Sequence, residues 1–425
     1  MHSTRTRPVP HVNIGSPSGR TFLSLRFSRR SILNFLLAVG ALVVLALGSL
    51  WAAQKLWSKP PGSIGTTYQL PSGPWGTITA RPILIEAPKS LLSPNFRLGD
   101  GRWYFQAAQA GEVQSFLRAA GLTPEQAAAV LPTLQPVSGR PGLMAALPSA
   151  ELIRTLSPTV RSALYDKLAL VPENFAQVEP FRITDLYLDD WLDTGTLPPE
   201  LIAQVKGLLW RRGSSLLFSD YNTVADSLTS PALKLELLRQ LTRKASLVIE
   251  LGIPDHGDVE SLVSYWGTGG RADKVRPLLA SLAQSGGAAV DISNLLPVFA
   301  RQRLYRFPDA LPGTDLGPGC HWSAFNFFNN NETDESLHTP EGVEKVLREG
   351  YVAATGEPRF GDIILLTLPD GSSIHSAVHI ADGIVFTKNG PSLATPYVFS
   401  TMEDMLAFYP SSEKITLTYY RRAGK

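Results

Sequence analysis

The 425-residue chain contains one cysteine, Cys320. A single thiol excludes an intramolecular disulfide framework, so packing must hold the fold. Residues 1–60 hold no aspartate or glutamate but eight arginines and lysines, which leaves the rest of the chain at −6 against a whole-chain charge of +2. A mildly acidic body gives no reason to expect nucleic acid as a partner. No repeat of fixed period is present, so a solenoid is not indicated. Between residues 112 and 306 there is no phosphate-cradling glycine loop, metal-ligand cluster or paired-carboxylate motif, and no cofactor or metal is expected.

What the chain does have, first, is a long apolar run. Ser31 to Ala53 is almost wholly apolar, and a helix of that length, at about 1.5 Å per residue, would cross a hydrocarbon core of about 30 Å. Six arginines precede it, so the positive-inside rule predicts a basic cytoplasmic N-terminus over 1–30, a transmembrane helix over 31–53 and the remainder outside, periplasmic in a Gram-negative cell. Ser28-Arg29-Arg30-Ser31 also resembles a twin-arginine export signal, which would change the tether but not the compartment. The Pro-, Gly- and Ser-rich residues 54–74 read as a linker.

Helical signals dominate the middle of the chain and predict a mostly α-helical domain over 75–304. A short β-prone piece opens it, Trp75 to Ile85 and then Arg102 to Phe105. Val113, Phe116, Leu117 and Ala120 share a helix face. Thr123-Pro124-Glu125-Gln126 is a capping box with proline at the first helical position, and Ser157-Pro158 and Ser230-Pro231 repeat the cap-plus-proline signal. Further helices are predicted at Pro199–Arg212, Val259–Trp266 and Arg271–Gln284.

The pattern changes near residue 305, and an α+β domain is expected over 305–425. Gly317-Pro318-Gly319 cannot continue a regular element, whereas Trp322, Phe325 and Phe328 recur at helical spacing, so Cys320 is placed on the first turn of a helix. There the unpaired backbone N–H groups favour thiolate, the form that attacks carbonyl carbon. The bland alternative is a small buried hydrophobe. A helix is predicted over Pro340–Glu349, strands at 362–368, 374–380, 384–388 and 415–420, and a helix begun by the capping box Ser400-Thr401-Met402-Glu403.

A nucleophilic cysteine needs an imidazole to take its proton and a third group to orient that imidazole. His2 and His11 precede the apolar run, while His256 and His338 sit in polar loop sequence. His321 neighbours Cys320, but adjacent helical residues diverge by about 100°. His375 and His379 remain, four apart on one strand and about 13 Å from each other, too far to share a metal. Each could equally be a satisfied core histidine.

Phe360-Gly361-Asp362-Ile363-Ile364-Leu365-Leu366, then His375-Ser376-Ala377-Val378-His379-Ile380-Ala381-Asp382-Gly383, resembles the NlpC-type cell-wall cysteine peptidases, a papain-like group. The likeness covers about 305–420. It implies an α+β domain with a nucleophile helix packed on an antiparallel sheet, Cys320 as nucleophile and His375 as catalytic histidine, with His379 at a position usually held by an aromatic. The family has Asp-Cys-Ser-Gly where this chain has Gly-Cys-His-Trp, and only Tyr305 stands for its upstream tyrosine.

The family's third residue often lies twelve positions after the histidine, here Thr387. A two-residue turn at Asp382-Gly383 would put Lys388 on the face of His375. A three-residue loop, Ala381-Asp382-Gly383, would put Asn389 opposite His375, and this loop is the one expected, with Asn389 as orienter. Two functions follow. The first is a membrane-anchored, extracytoplasmic cysteine hydrolase cleaving amide bonds in cell-wall peptides. The other is a non-catalytic envelope scaffold whose helical domain binds a partner protein.

Overall fold

Lys244–Ile253 is the longest strand among the described residues, and its Leu247, Ile249, Leu251 and Ile253 are all buried at the alternate positions that a half-buried strand requires. It is the hub of the chain. The strand Thr77–Ile85 pairs with it antiparallel along its whole length, and Ala288–Asp291 covers its other edge. Tyr68–Gln69 extends the sheet beyond Thr77–Ile85, so part of the expected linker belongs to the fold.

The computed structural model describes residues 63–423 apart from 193–194, 214, 255–257, 331 and 410–413. These belong to one unit, Ser58–Lys425. Besides the hub sheet there are two three-stranded sheets in the middle region, built from Trp103–Gln106, Leu143–Ala146 and Gln135–Pro136, and from Phe181–Ile183, Ser215–Phe218 and Trp210–Arg212. A mostly α-helical middle domain is therefore overturned. The middle is mixed α/β, because helices such as Pro158–Leu168 and Pro231–Leu241 lean on short antiparallel ribbons in one large apolar cluster.

The expected membrane span also requires correction. No described helix is long and apolar enough to cross a membrane. The longest of them, Ala272–Gln284, has 13 residues and only three buried side chains. The run 31–53 lies outside the described residues. The fold is accordingly mixed α/β with several antiparallel sheets, and the single-pass, extracytoplasmic location is set aside.

The C-terminal region forms a six-stranded sheet in the spatial order Tyr351–Ala353, Thr416–Arg422, Ile363–Thr367, Ser373–Ala381, Ile384–Thr387, Val398–Thr401. Every pairing in it is antiparallel. One face, with Ile363, Val378 and Ile380, packs on Trp322, Ala324 and Phe325 and runs on without a break into Ile249, Leu251 and Trp266. The opposite face carries a small cluster of Ile364, Leu366, Ala377, Val385 and Met405. The position expected to divide two domains, 304/305, thus lies inside one apolar core.

Two details of backbone position the site. Gly361 has φ +88°, and a Cβ there would lie 2.1 Å from the Phe328 ring, so only glycine fits. Asp362 beside it is buried and is held by two Arg421 nitrogens at 2.9 and 2.6 Å, and it accepts the Arg359 N–H at 2.9 Å. The Gly-Asp pair is a structural clamp at the entry to the strand Ile363–Thr367.

Candidate active site

Cys320 is the first residue of a helix running only to Phe325, with Gly319 as its N-cap. The helix is shorter than the sequence suggests because Asn326 caps it, its amide bonding back to the Trp322 carbonyl at 3.0 Å. Six residues make a weak dipole, so the nearby N–H groups matter more. Those of Ser376, His321 and Cys320 itself favour the thiolate, as does the Lys388 charge. Burial outweighs them and pushes the thiol above its ordinary value, Cys320 being only 8% exposed.

The expected hairpin loop is wrong in one respect and right in its consequence. Ala381 opposes Ile384, leaving Asp382-Gly383 as a two-residue turn with φ of 37° and 73°. A bulge between His379 and Ala381 then restores the register that a three-residue loop would have set, with His379 opposite Val385 and Val378 opposite Phe386. Continued along the strand, that register would set His375 against Asn389.

His375 pairs with Leu366 and so lies on the face that carries Ile364, Ala377 and Tyr409, the last close enough to Cys320 to feel its charge. It is fully buried, and its ring stacks on Tyr409 with centroids 4.3 Å apart. Nε2 lies 3.0 Å from Thr387 Oγ1, which in turn donates to Asn389 Oδ1 at 3.2 Å. Asn389 is therefore not the direct orienter. A hydroxyl has one proton, and Thr387 gives its own to Asn389. Thr387 must then accept from His375, which assigns the proton to Nε2 and leaves the Nδ1 lone pair free. Nδ1 is buried and has no hydrogen-bond partner. Burial, reinforced by the nearby His321 charge, holds the imidazole down to about 3, so it is neutral at physiological pH. No hydrogen bond joins it to Cys320 among the described residues.

The other candidates fall away from the thiol. His321 turns to Ser376 Oγ, 3.0 Å from its Nδ1, as the divergence of adjacent helical residues anticipates. His338 is not a free loop residue: it stacks on Trp322 at 5.4 Å and its Nε2 lies 3.0 Å from Glu335. His256 lies outside the described residues. His379 is buried on the His375 strand with both ring nitrogens unpartnered, and burial brings it down to about 4. Tyr305 spends its hydroxyl on the Leu247 carbonyl at 2.6 Å and thus braces the hub strand. No group of three or more potential metal ligands occurs among the described residues.

Sequence reasoning passed over Lys388 as a partner of the thiol. The signal was present as an isolated lysine within an apolar strand ending, Ile384-Val385-Phe386-Thr387-Lys388. No protein-family model matches the chain, and neither a curated protein nor a solved structure does.

Proposed function

We propose that this chain is a cysteine hydrolase of amide bonds, with Cys320 as nucleophile and His375 as general base and acid. One observation carries the reading. In a fully buried imidazole one nitrogen is anchored to Thr387 and the other holds an unspent lone pair, and an orphaned buried nitrogen costs about 1–3 kcal/mol unless it serves a purpose.

In the proposed reaction the Cys320 proton passes to His375 Nδ1 as sulfur bonds the carbonyl carbon and negative charge moves to oxygen. The amine leaves with the proton from Nδ1, giving a thioester. Water then attacks, Nδ1 takes its proton, the C–S bond breaks and the sulfur recovers that proton, releasing an acid. The N–H groups of Cys320 and His321 would face the oxyanion. Thr387 and Asn389 act by holding the tautomer. By its resemblance to NlpC-type peptidases, the substrate is a cell-wall peptide.

Incubation of the full-length protein with murein peptides tests this. The wild type should release new amino termini, and Cys320→Ala should release none. Identical product profiles from both would sink the enzyme reading.

A second reading is a binding protein carrying an inactive site, and the missing hydrogen bond between Cys320 and His375 favours it. Alkylation separates the two. A nucleophile reacts in the native fold, whereas a structural thiol reacts only after unfolding.

A further inference from the structure

Lys388 is fully buried, directly after the strand Ile384–Thr387. Its ammonium donates to the carbonyls of Gly390 at 2.6 Å and Ser392 at 3.2 Å. An ammonium has three protons, and no carboxylate among the described residues pairs with this one. An uncompensated buried cation is costly and calls for a counter-charge.

The loop it holds is the loop that holds the cysteine. Gly317 N–H donates to the Pro391 carbonyl at 2.8 Å, and Leu316 bridges antiparallel to Ser392, three and four residues before Cys320. The Cys320 helix packs on the strands Ser373–Ala381 and Ile384–Thr387. Carried two residues past its last pair, Val378 with Phe386, the register would set Lys388 against Ser376, whose N–H favours the Cys320 thiolate.

We infer that Lys388, rather than His375, is the positive partner of the Cys320 thiolate, and that its grip on the 390–392 carbonyls positions the Gly317-Pro318-Gly319 segment ahead of the nucleophile. The inference rests on the reading of Cys320 as nucleophile. His375 is excluded as the resting counter-charge by its surroundings: it is buried, stacked on Tyr409, bound to Thr387 and repelled by His321, so it rests neutral. Lys388, pulled down by burial to about 8, stays mostly protonated at neutral pH, and the Cys320 charge supports that protonation. The titratable groups gathered about the thiol are thus His321, Lys388 and Tyr409, with His375 stacked on Tyr409.

In full-length protein with 13Cε-labelled lysine, the Lys388 titration should show a second step as the Cys320 thiol ionises above its ordinary range, and Cys320→Ala should abolish that step. An unchanged Lys388 titration in Cys320→Ala overturns the inference. In the reciprocal test, Lys388→Met should slow iodoacetamide alkylation of Cys320 about tenfold at pH 7 and move the alkylation profile to higher pH, while Lys388→Arg keeps it near wild type. A profile unmoved in folded Lys388→Met also overturns it. Neither readout requires substrate. Loss of the coupling with peptide hydrolysis intact refutes this inference alone, and coupling without hydrolysis refutes the enzyme reading alone.

Discussion

Thr387 is where the chemistry of a single side chain decides most. It accepts the His375 Nε2 proton and passes its own to Asn389. Thr387→Val should leave a buried imidazole N–H without an acceptor and destabilise the protein by about 1–3 kcal/mol, measured by urea denaturation, with hydrolysis lost as the tautomer is freed. Thr387→Ser should restore both. His375 and His379 make a second prediction at this scale. Both are lowered by burial, to about 3 and about 4, whereas an unfolded histidine titrates near about 6.5. Below that pH the unfolded chain binds protons that the folded one refuses, so stability is full above about pH 6.5 and falls as pH falls toward 4. Each imidazole accounts for about 2 kcal/mol between pH 6.5 and pH 5. His379→Phe should make the fall shallower in chemical denaturation series across that range, and an unchanged slope would show that His379 is not buried neutral.

At the scale of elements, local chemistry predicted starts better than ends. Thr123, Ser157 and Ser230 cap helices through their hydroxyls as expected, and Thr339 does the same for Pro340–Gly350. The helix after Pro199 ends at Gly207, not Arg212, because Trp210–Arg212 leaves to pair with Ser215–Phe218. The last cap is Thr401 with Asp404, one residue beyond the predicted Ser400 box. The Gly-Asp turn has the sharpest sequence requirement in the C-terminal sheet. Gly361→Ala combines a left-handed backbone with an overlap on Phe328, and should cost about 2 kcal/mol or more. Thermal melting checks this, and the companion variant Gly361→Ala with Phe328→Ala should recover only the steric part of the loss.

For the whole molecule, the C-terminal sheet depends on the hub strand. Ser246 Oγ donates to the Phe399 carbonyl at 3.1 Å and accepts its N–H at 3.2 Å, and Tyr265 donates to the Ile380 carbonyl at 2.7 Å. Leu247, Ile249 and Trp266 share one cluster with Val378, Phe386 and Phe399. A fragment of residues 305–425 should therefore lack cooperative unfolding and near-ultraviolet circular dichroism, while a fragment from residue 63 onward should keep both. Cooperative melting of the shorter fragment would show that its own core suffices.

The sequence by itself determined the local features: which residues cap helices, that Cys320 opens one, that His375 and His379 share a strand, and that Gly361-Asp362 precedes another. These follow from backbone sterics and side-chain periodicity within a few residues. Only the tertiary structure decided that Lys244–Ile253 is a strand at the centre of the fold, since its alternation of apolar residues becomes decisive once Thr77–Ile85, more than a hundred residues away, supplies the pairing. The same holds within the candidate site. Register alone set Asn389 against His375, yet the hydrogen bond goes to Thr387, because a bond depends on where side-chain atoms meet across the sheet. Lys388 illustrates it most fully: its charge is written in the sequence, but its burial next to the thiol is a product of how two distant loops lace together.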